Sequence, residues 1–83
     1  MNLTELRKAL AAIGVPSPLV ALGRHADLAR CVERSDEGQW EVFSYKRGNK
    51  NSLACLNTES EACYQLLGRL AYSQLLAGAI GVR

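Results

Sequence analysis

The sequence predicts an α+β fold: one small domain over residues 1–83, in which a three-stranded antiparallel meander packs against two terminal helices in the order α-β-β-β-α. Three observations predict it. Apolar residues recur at three- and four-residue steps near both ends of the chain, the period of a helix with one buried face. Between them lie three short runs separated by tight turn signals, the clearest of them rich in aromatic and β-branched residues. A chain of 83 residues also buries only about 60% of its unfolded surface, enough for a single thin core.

The first helix follows from Leu3, Leu6, Leu10 and Ile13, which form one stripe over about residues 3–13. Asn2 can cap it with Glu5 three residues on, the spacing of a capping box, and Gly14 can close it. Val15 to Asp27 reads as a connector: Pro16 and Pro18 forbid helix interior, Leu19, Val20 and Leu22 drape over the core, and Gly23 suits a turn. The strand runs are Leu28–Arg34, Trp40–Arg47 and Ser52–Leu56, with turns at Ser35-Asp36-Glu37-Gly38 and Gly48-Asn49-Lys50-Asn51. Turns this short make the runs antiparallel neighbours. Terminal helices can cover one face of such a sheet, leaving the other solvated or bound to something.

Thr58-Glu59-Ser60-Glu61 opens the second helix as a capping box, with both carboxylates in the first turn where the helix dipole favours them. Cys63, Leu66, Leu67 and Leu70 give its core-facing stripe. The next positions of that stripe are Gln74, Ala77 and Gly78, while Tyr72, Leu75, Leu76, Ala79 and Ile80 start another on roughly the opposite side. Either the helix bends near Ser73, or it runs on and presents an apolar face that a partner or a second copy covers. Self-association through Tyr72, Leu75, Leu76 and Ile80 is therefore an expectation.

Composition excludes several classes. Apolar residues make up 48% of the chain, too many for intrinsic disorder, and a net charge of +2 is too slight to predict a nucleic-acid or membrane partner by itself. Glu5, Arg7 and Lys8 interrupt the N-terminal apolar residues, so no secretory signal is expected there. The weakly polar run Leu70–Val82 has 13 residues, against about 20 for a membrane span. Three cysteines, Cys31, Cys55 and Cys63, without a CxxC pair argue against a disulfide framework or a zinc site and for a cytoplasmic chain. His25 stands alone in the connector, and no phosphate loop, nucleophile elbow or metalloprotease motif is present. Neither an enzyme nor a bound cofactor or metal is expected.

The segment Trp40 to Lys50 is more informative, placing three of the five aromatic residues beside three of the ten basic ones. Alternation puts Trp40, Val42, Ser44 and Lys46 on one face and Glu41, Phe43, Tyr45 and Arg47 on the other. Tyr, Trp and Arg are the types enriched in interface anchors. The candidate partner-binding residues are Trp40, Tyr45, Lys46, Arg47, Asn49 and Lys50. An aromatic-plus-basic strand also suits single-stranded RNA, but the RNP signature is absent and Glu33 and Glu41 dilute the charge, so nucleic acid is the weaker alternative.

Three motifs together resemble a known family. Trp40-Glu41-Val42 followed by Arg47-Gly48, then Thr58-Glu59-Ser60-Glu61-Ala62-Cys63, with Leu66-Leu67 after it and the Leu-rich first helix before, is similar to small immunity proteins of bacterial polymorphic toxin systems. The resemblance covers most of residues 1–70. It departs at Lys46, where such proteins often carry Glu, and in the long apolar tail after Leu70. It implies an antitoxin that occludes a cognate toxin's active site without catalysis, with an NAD glycohydrolase effector as the expected toxin. The net charge of +2 suits a neutral or acidic toxin better than a basic nuclease.

Overall fold

The computed structural model describes residues 1–78. Its elements are α1 (Leu3–Ala12), β1 (Val20–Leu22), β2 (Ala29–Arg34), β3 (Trp40–Lys46), β4 (Asn49–Leu56) and α2 (Glu59–Leu76), with a single 3₁₀ turn at Ser17–Leu19 before β1. The two helices and a four-stranded mixed sheet make a compact α+β fold.

The sheet order is β1-β2-β3-β4; β2, β3 and β4 form the antiparallel meander, and β1 adds in parallel beside β2. The sequence reading took residues 20–22 as connector and so missed this strand. Three residues are too few for an alternating pattern to register, and tertiary pairing decides their state: Val20, Ala21 and Leu22 align with Arg30, Cys31 and Val32. Parallel neighbours normally need a connection of a dozen residues or more. Here residues 23–28 suffice because β1 is so short and the connection crosses directly over the sheet face that the helices leave free.

Both helices start where expected. Asn2 accepts the Glu5 N–H while the Glu5 carboxylate accepts the Asn2 N–H, a closed capping box, and Gly14, at φ +83°, turns the chain out of α1. Thr58 caps α2 by accepting the Glu61 N–H, but the Glu61 carboxylate accepts from the Thr58 hydroxyl instead of the Thr58 N–H, so the expected second capping box is only half formed. The helices lie parallel: the Leu3 N–H donates to Glu59 at 2.9 Å near their starts, and Gln74 donates to the Ile13 carbonyl at 3.0 Å near the end of α1. Gln74 thus extends the core-facing stripe of Cys63, Leu66 and Leu70 with a polar group whose partner is a helix-end carbonyl. α2 does not break at Ser73 but runs through it as one helix. Tyr72 and Leu76 are left 63% and 72% exposed. Ala79 and Ile80 of that expected face lie outside the described residues.

The main core lies between the helices and one face of the sheet, where Leu6, Leu10, Val32, Val42, Cys63 and Leu66 are fully buried or nearly so. Trp40, Leu53, Ala54 and Leu56 pack at its margin. Leu53 and Ala54, though adjacent, both reach this core because β4 carries an extra residue between the pairs Val42–Ala54 and Phe43–Ser52, a β-bulge. The opposite face holds a smaller core of Ala21, Ala29, Cys31 and Phe43 with Ala26 and Tyr45 packed on it. Phe43 is 1% exposed, roofed in part by Lys50, whose ammonium sits 4.5 Å from the ring centroid.

Candidate functional interface at the β3–β4 hairpin

The turn between β3 and β4 is tighter than the sequence suggested. Lys46 pairs with Asn49, so the loop is Arg47-Gly48 alone, with φ of +52° and +79°. Positive φ at both central residues is the type I′ signature, whose twist matches the flanking strands. Asn49, Lys50 and Asn51, expected in the turn, are instead the first residues of β4. A side chain other than Gly, Asn or Asp costs roughly 1 kcal/mol in this conformation. Arg47 is held there by Asp27, whose carboxylate accepts the Arg47 N–H. Leu28, the next residue, is also left-handed at φ +59° and 63% exposed. The crossing connection and the hairpin tip are therefore tied together at two strained positions.

This geometry gathers Tyr45, Lys46, Arg47, Asn49 and Lys50 at one end of the sheet, all but Tyr45 exposed. Tyr45 is half-buried, its ring 5.1 Å from that of His25, and the His25 ring lies 3.2 Å from the Glu33 carboxylate. Lys50 is committed to Glu41 at 2.8 Å. Lys46 and Arg47 form no ion pair among the described residues. Trp40 does not join the group. It pairs with Arg34 and Leu56 at the other end of β3 and packs on the helix-covered face.

Sequence reasoning missed Asp27, Leu28 and Arg30 here. Asp27 carried a faint signal, since Asp accepts backbone N–H groups in loops; Leu28 ends the connection from β1, and Arg30 stands opposite Ser44 in the β2–β3 register, so neither is marked by a local motif. Pro16, Leu19, Leu28, Arg30, Lys46 and Leu70 line a groove of 440 Å³ beside the tip. Among the described residues no cluster of three or more His, Cys, Asp or Glu is placed to hold a metal ion, and no helix is long and apolar enough to cross a membrane.

Cys31 and Cys63 are buried and Cys55 is exposed. Burial pushes the Cys31 thiol above its ordinary value, Glu33 adds to this, and a hydrogen bond to the Ala26 carbonyl works against it. Burial also raises Cys63, with Glu59 adding to it. Both are therefore neutral thiols at pH 7, poor nucleophiles that behave as core residues. Comparison with protein-family models, with curated proteins and with solved structures gave no match.

Proposed function

We propose that the protein is a cytoplasmic immunity protein that binds a cognate bacterial toxin through the β3–β4 hairpin and occludes its active site, acting without catalysis. The observation that carries this is the hairpin tip: a type I′ turn strained at Arg47 and braced by Asp27, presenting Lys46, Arg47 and Asn49 with Tyr45 beside them. A two-residue turn is narrow enough to enter a concave site, and its two unpaired cations suit the acidic groups of an NAD glycohydrolase cleft. The motif resemblance supplies the toxin class. Co-expression with the product of an adjacent toxin gene tests the reading: rescue of growth and a copurifying complex are expected, and the absence of both would sink it.

A second reading is favoured by one observation. The side of α2 facing away from the core leaves Tyr64, Tyr72 and Leu76 60%, 63% and 72% exposed, the kind of face that a second copy covers. Self-association through Tyr72, Leu75 and Leu76 is compatible with toxin binding at the hairpin. Light scattering checks it: a monomer at millimolar protein, unchanged by Leu76→Asp, argues against it. Single-stranded RNA finds less support, since Phe43 is buried, Tyr45 packs at a tilt against His25 and Lys50 is paired, leaving no row of open aromatic faces among the described residues.

A further inference from the structure

We infer that the groove beside the hairpin takes a segment of a protein partner in which an aliphatic side chain stands next to a carboxylate. The inference rests on reading the hairpin end as a protein-binding surface, and it names the chemistry of what binds there. The groove encloses 440 Å³, within the range of about 300–1,000 Å³ typical of binding sites. Its walls include Leu19, Leu28 and Leu70, and the first two are 50% and 63% exposed. Two leucines so exposed at one groove are an apolar surface without a cover.

The charge of the groove selects the partner. Arg30 and Lys46 line it, no Asp or Glu does, and neither cation forms an ion pair among the described residues. Register explains why they stand together. Arg30 pairs with Ser44 on β3, and Lys46 follows Ser44 on the same sheet face, at the edge of α2, whose Leu70 lines the same groove. The nearest carboxylate in sequence, Asp27, is already engaged by the Arg47 N–H. Apolar walls with a purely cationic rim complement an aliphatic side chain flanked by an acid. Lys46 belongs to the groove and to the hairpin tip alike, so the two surfaces are continuous and one partner can cover both. Leu28 is held at positive φ on the groove wall, and strain of this kind persists where the surrounding structure enforces it.

The test is an NMR titration of the isotopically labelled full chain with acetyl-Asp-Leu-Glu-Leu-amide and with its neutral counterpart, acetyl-Asn-Leu-Gln-Leu-amide. The acidic peptide is expected to give saturable shifts at the amides of Leu28, Arg30, Ser44 and Lys46. The neutral peptide should bind at least about fivefold more weakly, and the exposed double variant Arg30→Gln/Lys46→Gln should lose the same factor for the acidic one. No saturable shift up to about 5 mM, shifts centred elsewhere, or equal binding of both peptides would overturn the inference. Tighter binding of octanoate would assign the groove to a free acid, and concentration-dependent shifts without peptide would assign it to a second copy; either overturns it. A toxin that binds the hairpin tip while the peptide fails would overturn this inference alone. Peptide binding in a protein that rescues no toxin would leave it standing and remove the functional reading.

Discussion

The two faces of the sheet are buried by different means. On one, Val32 and Val42 lie under two parallel helices that contribute Leu6, Leu10, Cys63 and Leu66. On the other, Cys31 and Phe43 lie under a six-residue connection and the ammonium of Lys50. Both leave their central residues at 0–1% exposure. The first is closed by apolar side chains from distant parts of the chain, the second by a local loop and a cation over the Phe43 ring. Complete burial therefore does not imply equal strength, and the lightly roofed face adjoins the candidate interface.

Substitutions can break this contrast or sharpen it. The largest effect is expected from Leu66→Ala, a loss of about 3 kcal/mol in unfolding free energy by urea titration, because both helices and the sheet enclose the cavity it leaves. Asp27→Ala should cost about 1 kcal/mol, the value of one exposed charge-assisted hydrogen bond, and hydrogen exchange at the Arg47 amide should accelerate with it. Arg47→Asn should run the other way, gaining about 0.5–1 kcal/mol because Asn tolerates the left-handed conformation, yet under the proposed function it should weaken binding of a cognate toxin. A stabilised variant that neutralises the toxin undiminished would remove Arg47 from the interface.

Thiol chemistry gives two smaller tests. Iodoacetamide should modify exposed Cys55 first, then Cys31 under its loop, and Cys63 last; equal protection of Cys31 and Cys63 would erase the difference between the faces. The raised thiols also set a pH dependence. The native state keeps these protons to higher pH than the unfolded chain, whose ordinary thiol value is 9.0. Stability from this source is thus complete below that value and falls as pH rises past it, the sign expected when the native state binds more protons. A stability that rises above pH 9 would contradict the burial of both thiols.

Much of the fold was legible because its signals are local. Asn2 with Glu5, Thr58 with Glu61 and the alternation of β3 each specify their element within a few residues, and the structure follows them. What stayed hidden depends on distant partners. Val20–Leu22 becomes a strand only because Arg30–Val32 is there to pair with, and of the two courses left open at Ser73, a bend or a continuous helix, α2 takes the second, with Gln74 donating to the Ile13 carbonyl. The hairpin residues other than Trp40 were found from composition on one strand. Trp40 was grouped with them by sequence proximity, although alternation already placed it on the other face from Tyr45.

The pairing of Leu3 with Glu59 across 56 residues has a kinetic consequence. Hairpin contacts between β2, β3 and β4 span short loops and close early, whereas docking α1 onto α2 must close the longest loop in the molecule. Folding is then expected to nucleate in the meander and finish with α1. Val42→Ala should slow refolding, while Leu6→Ala, at a residue equally buried, should chiefly speed unfolding. Stopped-flow chevrons of the two variants read this directly, and a folding limb slowed by Leu6→Ala would place α1 in the nucleus instead.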